Sequence, residues 1–226
     1  MWFLLVTAFY AALLRWKELP YHIQEIEYLN TMRNAEISRK TSETDVLVKL
    51  NLDGTGAAEI ATGVGFFDHM LDHVARHGLI NLTLKASGDL HVDCHHTVED
   101  VGLSLGEALR TALGDKAGIR RYGFAAVPMD EALAHVALDL SGRPLLVFSN
   151  PLADRSAGDF ALDLIPVFLQ ALADRAGITL HAAVKVAENP HHAAEAIFKA
   201  LGRALREAVE MDPRVRGVPS TKGILE

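Results

Sequence analysis

The sequence holds a single cysteine, Cys94, so no disulfide can close within the chain, and a reducing compartment, the cytoplasm, is the expected setting. It has no run of lysine or arginine and a net charge of −7, which excludes a basic nucleic-acid face. Aromatics are few, at 7%, while 50% of residues are hydrophobic and 23% charged, the balance of an ordinary globular chain rather than a disordered or collagenous one. Long apolar runs are scarce as well. Trp2–Leu14 is the one extended example, and it falls short of the roughly 20 residues that a membrane span requires. No positive charge precedes it and no convincing small-residue cleavage site follows, so it is a poor signal peptide. No membrane partner is expected. Residues 1–31 read as an N-terminal extension, and Met32, which opens a conventional soluble sequence, is the expected start of translation. The rest, 32–226, has the length of one good-sized core or two small joined ones.

What is present is regular from Arg39 onward. Asp45–Leu52 alternates apolar and polar residues as a strand does, and Asp53-Gly54 predicts a hairpin turn into Ala57–Ala61. Phe66–His77 has helical spacing with Phe67, Leu71 and Val74 on one face, and Gly78 is the expected stop. Leu79–Ala86 reads as a strand and Thr97–Leu113 as a helix ending at Gly114. The order then recurs: strands Ala134–Leu140 and Pro144–Phe148 around Ser141-Gly142-Arg143, helix Leu162–Arg175 stopping at Gly177, strand Ile178–Val186 and helix His192–Val209. The pattern predicts an internally duplicated α/β (α+β) fold, a pair of sheet-plus-helices halves at about 39–118 and 119–220.

The repeat carries its own marker. His95-His96-Thr97-Val98-Glu99 opens the last helix of the first half, and His191-His192-Ala193-Ala194-Glu195 opens the last helix of the second. Two such units arise by chance about two times in a thousand, even with 11 histidines in the chain. Residues four apart share a helix face, so His95/Glu99 and His191/Glu195 each form an imidazole–carboxylate pincer. His96 and His192 are rotated by about 100° and aim elsewhere. Two pincers and two further histidines predict two metal sites, with nitrogen and oxygen ligation suited to Mn, Fe, Zn or Co rather than Ca or Mg. His69, His73 and His77 recur every four residues along the Phe66–His77 helix, and His69 is the candidate for an extra ligand. Cys94, beside His95, reads as a small buried thiol.

Five ordered stretches, DHMLDHVARHG, DCHHTVEDVGLSLGEAL, MDEALAHVALDLSGRP, ENPHHAAEAIFKALGRAL and VPSTKG, resemble the successive signatures of the imidazoleglycerol-phosphate dehydratase family. The resemblance runs from about Arg39 to Leu225 and makes 32–226 the dehydratase domain. It implies a fold like the second domain of ribosomal protein S5, a large symmetric homo-oligomer of 24 subunits with shared sites, and two Mn²⁺ per active site. One metal would rest on His95, Glu99, His191 and Glu195, the other on His69, His96 and His192. The implied reaction is dehydration of D-erythro-imidazole glycerol phosphate to imidazole acetol phosphate in histidine biosynthesis. Metals holding the substrate's ring as an imidazolate would make it electron-rich enough to expel the neighbouring hydroxyl. By the family pattern Glu43 moves the protons. Its role rests wholly on the resemblance, since from sequence alone it is a charge ahead of a strand. By the resemblance Glu43, His77, Arg121, Arg143, Lys199, Ser220 and Lys222 bind the substrate and its phosphate, and arginine forks suit phosphate oxygens.

One position departs from the family pattern. Counting back from the glycines that end the two shorter helices, the duplicate of His69 falls at about Val167, where the family generally carries His or Glu. Valine cannot bind a metal, which leaves the second site short of a ligand. The alternative functional reading is accordingly a catalytically impaired metal-binding homologue of the same family. A two-metal hydrolase is a further alternative, but no aspartate-rich loop supports it.

Overall fold

The computed structural model describes residues 33–225; the extension 1–31 and Met32 lie outside the described residues. Two four-stranded sheets carry the chain, and each is built in the same order. The first half runs β1 (Asn34–Lys40), β2 (Thr44–Asn51), β3 (Ala58–Ala61), α1 (Gly65–Gly78), β4 (Asn81–Gly88) and α2 (His95–Leu113). The second runs β5 (Tyr122–Met129), β6 (Ala132–Asp139), β7 (Leu145–Ser149), a small β8–β9 ribbon (Ser156–Ala157, Phe160–Ala161), α3 (Leu164–Ala176), β10 (Thr179–Val186) and α4 (Pro190–Val209). Strand order is β1-β2-β4-β3 in one sheet and β5-β6-β10-β7 in the other, each with one parallel pair at the edge.

The helices tie the halves together. α2 packs on β1 and β2 and against α3, while α4 packs on β5 and β6 and against α1. Gly106 of α2 and Gly202 of α4 make these approaches feasible. A Cβ on Gly106 would lie 2.7 Å from the Leu172 carbonyl oxygen and 3.1 Å from the Ala176 nitrogen. One on Gly202 would lie 2.8 Å from the Val74 oxygen and 3.1 Å from the Gly78 nitrogen. The two contacts are copies related by the duplication, and only glycine allows backbone to come this near. Around them lies a core that includes Phe67, Phe160, Phe168 and Phe198, all almost wholly buried. The Phe67 ring meets those of Phe168 and Phe198 edge-on at 5.3 and 6.5 Å, an arrangement that aromatic quadrupoles favour.

Three expectations are corrected. The Asp53-Gly54 turn does not close a hairpin, because both edges of β2 are already taken, by β1 and β4, both antiparallel. The chain instead crosses the end of β4, where the Asn81 carboxamide oxygen accepts from the Thr55 and Ala57 N–H groups, and β3 pairs with β4 in parallel. Gly78 does not end α1 by handedness. Leu79 carries the left-handed conformation (φ 52°), and Gly78 is small because Gly202 lies against it. Each four-stranded sheet also has one strand more than the periodicity predicts, β1 and β5, and the second half adds the small β8–β9 ribbon.

Moving the cap to Leu79 fixes how the halves superpose. Leu79 N–H donates to Ala75 and Gly177 N–H to Ala173, and in each half the next N–H, Ile80 or Ile178, bonds the same carbonyl. Counting back equally from Leu79 and Gly177, His69 and Val167 are structural equivalents.

Candidate active site

Local sequence places each half's histidine pair at a helix start. The Asp93 carboxylate accepts from the His95 N–H at 2.8 Å, and the Asn189 side chain accepts from the His191 N–H at 2.8 Å with Pro190 following it. These caps satisfy helix donors that otherwise lack partners. The ring planes then stand nearly perpendicular within both pairs, at 88° for His95–His96 and 81° for His191–His192. The two histidines of each pair therefore point to different places, as their spacing predicts.

The densest cluster forms where α1 crosses α4. Glu195, buried, takes His191 Nε2 at 3.1 Å on one carboxylate oxygen and Lys199 Nζ at 2.5 Å on the other. From α1, His69 Nε2 comes within 3.6 Å and His73 Nε2 within 3.5 Å of the same carboxylate, and the two rings' Nε2 atoms are 3.3 Å apart. One ligand atom from each of His69, His73 and Glu195 lies within 4.8 Å of the others, so the three could hold a metal ion. Their charge states suit that role. Burial pushes the His73 imidazole down to about 4, so at neutral pH it offers a lone pair. Burial raises Glu195, but Lys199, His73 and His191 outweigh it and hold the carboxyl at about 2, fully ionised. His77 follows one turn on, its ring 5.8 Å from that of His73, and burial with Lys199 and Arg203 lowers its basicity.

His96 and His192 lie elsewhere, each with Nδ1 on a carboxylate. His96 Nδ1 is 3.0 Å from Asp89 Oδ2 and 3.8 Å from Glu43 Oε2; His192 Nδ1 is 2.7 Å from Glu131 Oε2. These contacts, Asp89 foremost in one case and Glu131 in the other, raise both imidazoles. A carboxylate on one ring nitrogen leaves the other, Nε2, as the ligand atom, although the exposed Asp130 carboxylate lies 3.7 Å from that of His192. Glu43 is exposed at the β1–β2 turn, which is firmly held: Thr41 Oγ1 accepts from the Glu43 and Thr44 N–H groups, and the Thr44 hydroxyl bonds Asp100, which also takes Arg39 Nε at 2.8 Å.

Within one chain, then, His69 sits with His191 and Glu195, not with His96 and His192 as the implied ligand partition has it. His95 and Glu99 are exposed on α2, facing α3 rather than α1. There the position of His69 belongs to Val167 and that of His73 to Ala171, so the second crossing lacks both imidazoles. Of the five phosphate candidates, Arg121, Arg143, Ser220 and Lys222 line a single cavity of about 850 Å³. Arg121 is anchored by two bonds to Asp139, at 2.7 and 3.0 Å, and donates to the Pro219 carbonyl at 2.9 Å, which holds the C-terminal segment beside it. Lys199 is not in that cavity; it is bonded to Glu195. Sequence reasoning passes over His73, Asp89, Glu131 and Asp139 as site residues. For His73 the four-residue spacing from His69 is a usable signal; the other three owe their positions to strand ends that periodicity does not locate.

The fold and the cluster define a duplicated α/β protein whose halves each present a His-His-x-x-Glu helix. A family model described as imidazoleglycerol-phosphate dehydratase matches residues 62–205. Proteins of that name from Cereibacter sphaeroides and Methylobacillus flagellatus are 60% identical over 195 residues and 56% over 198, covering 86% and 87% of this chain and 100% of each relative. The crystal structure of imidazoleglycerol-phosphate dehydratase from Staphylococcus aureus superposes with a TM-score of 0.72 at 36% identity, over 79% of this chain and 99% of that one. The Pyrococcus furiosus structure gives 0.73 at 39% identity, over 84% and 100%. The chain belongs to the imidazoleglycerol-phosphate dehydratase family, hydro-lyases of histidine biosynthesis.

Proposed function

We propose that the chain dehydrates imidazole glycerol phosphate to imidazole acetol phosphate in a metal-dependent reaction, as a homo-oligomeric enzyme of the cytoplasm. The observation that carries the metal is the crossing of α1 and α4, where His69, the neutral His73 imidazole and the ionised Glu195 carboxylate converge within ligand distance of one point. This donor set of nitrogen and oxygen without thiolate fits Mn²⁺, two ions per active site being the reading adopted. His69, His73 and Glu195, with His191 beside the same carboxylate, would hold one ion. His95, Glu99, His96 and His192 supply the remaining ligands, and because they do not meet His69 in one chain, a second subunit would bring them together. A bound divalent ion supplies Lewis-acid charge stabilisation.

The chain's own groups account for the rest. Arg121, Arg143, Ser220 and Lys222 offer a cationic, hydroxyl-bearing cavity for the phosphate. Glu43, exposed on a rigid turn and 3.8 Å from His96, keeps its carboxylate available to take the proton from C2 and return one to the departing hydroxyl. Among the described residues no helix is long and apolar enough to cross a membrane. Mixing purified, Mn²⁺-loaded protein with imidazole glycerol phosphate tests the reading directly. Imidazole acetol phosphate is expected; unconsumed substrate with both metals bound would refute it. Light scattering tests the assembly, for which a mass near 24 chains is expected and a stable active monomer would be contrary.

A further inference from the structure

The duplication pairs residues that no motif connects. In the first sheet Asn51 of β2 faces Asn81 of β4, and in the second Asp139 of β6 faces Thr179 of β10. Asn81 and Thr179 each stand two residues beyond the left-handed cap, Leu79 or Gly177, so Asn51 and Asp139 are equivalents. β2 and β6 both run eight residues back from there, to Thr44 and Ala132. The residue before each strand is therefore the same place in the two halves: Glu43 in one, Glu131 in the other.

The two glutamates have opposite surroundings. In the first half, the residue that follows β4 is Asp89, which occupies His96 Nδ1 and leaves Glu43 farther off, exposed. In the second half β10 carries a bulge between Val184 and Val186, and neither Ala187, which follows the strand, nor Glu188 after it pairs with His192, whose carboxylate neighbours are Asp130 and Glu131. Glu131 is the nearer: one oxygen is 2.7 Å from His192 Nδ1, while the other accepts from the Asn189 N–H at 2.8 Å and the Glu188 N–H at 3.3 Å. Both oxygens are thus committed, one to the ring and one to the loop that leads into α4.

We infer that Glu131 is a positioning residue, the duplicate of Glu43 turned from proton transfer to holding His192 by Nδ1, so that Nε2, 3.7 Å from the exposed Asp130 carboxylate and beyond hydrogen-bond distance of it, is left to take a metal. The inference rests on the metal reading proposed above. Carboxylates behind ligating histidines change metal affinity by about 10- to 100-fold when removed. The alanine variant of Glu131 should show a loss of that size, and it should act through one ring only.

The experiment is a titration of metal-free protein with Mn²⁺, free ion followed by electron paramagnetic resonance, for wild type, Glu131→Ala, His192→Ala and the double variant. Glu131→Ala is expected to weaken one class of site about 10- to 100-fold, and to cause no further loss once His192 is alanine. Wild-type affinity in Glu131→Ala would overturn the inference. So would an equal loss with and without His192, since that marks a general effect on the fold. A wild type that binds no Mn²⁺ would instead bring down the metal reading itself, and this inference with it.

Discussion

Replacing Val167 with histidine tests the internal symmetry and the metal reading together. The equivalence of Val167 and His69 rests on matched cap hydrogen bonds at Leu79 and Gly177. The matched glycine contacts at Gly202–Val74 and Gly106–Leu172 then carry it across to the partner helices. Because His69 Nε2 lies 3.6 Å from the Glu195 carboxylate, a histidine at 167 is placed to approach Glu99 in the same way, with His95 in the place of His191. Structural zinc sites bind with about 10–16 kcal/mol over four ligands, or roughly 3 kcal/mol per ligand. Mn²⁺ binds such donors more weakly, so a gain of about 1–2 kcal/mol, roughly 5- to 30-fold in affinity, is expected at the site that includes His95 and Glu99. Val167 is only partly buried, so little packing is lost. Titrating metal-free wild type with Mn²⁺ should show one tight and one loose site per chain. Val167→His should tighten the loose one and leave the other unchanged. Two equally tight sites in the wild type, or an unmoved loose site in the variant, would refute the reasoning.

Four other outcomes follow from the geometry. Exhaustive chelation should abolish turnover, Mn²⁺ should restore it best among divalent ions, and activity in protein shown metal-free by elemental analysis would contradict the mechanism. Glu99→Gln and Glu195→Gln should each lower metal content, whereas Glu43→Gln should keep both ions and lose turnover; metal loss in Glu43→Gln would show that its role is misassigned. Gly106→Ala and Gly202→Ala should each destabilise by about 1–3 kcal/mol in chemical denaturation, as overpacking against backbone does, while Gly65→Ala, with nothing within 4 Å of the added methyl, should be neutral or slightly stabilising. The folded state holds His73 at about 4 against about 6.5 when unfolded, so the unfolded chain binds more protons between these values. Stability of the metal-free protein should therefore fall as pH drops from about 6.5 toward 4, and His73→Asn should flatten that slope; an unchanged slope would contradict the shift.

Much of the fold is legible in the sequence because its signals are periodic. The four helices follow from apolar spacing, and the twin His-His-x-x-Glu units reveal the duplication from residue order alone. β1 is not legible because its inward face is only partly covered, and β5 because it carries both a glycine and a proline. The misplaced hairpin at Asp53-Gly54 has a different origin: turn chemistry reports that the chain reverses, but which edge is vacant is a property of the whole sheet. Of the site, residues within one motif are found and those meeting across motifs are not. His73 and Glu195 are more than a hundred positions apart, whereas Lys199 meets Glu195 at four-residue spacing along α4, a contact that spacing allows.

The two crossings repeat one contact. Gly202 meets α1 as Gly106 meets α3, so each half rests its last helix on the other half's shorter one, the self-complementary contact of a two-fold dimer. A chain of half this length would leave that helix face bare unless a second copy covered it. Two identical half-chains would be bound to keep both crossings alike. One continuous chain is not: it carries histidine at 69 and valine at 167, and its equivalent glutamates at 43 and 131 stand in different surroundings.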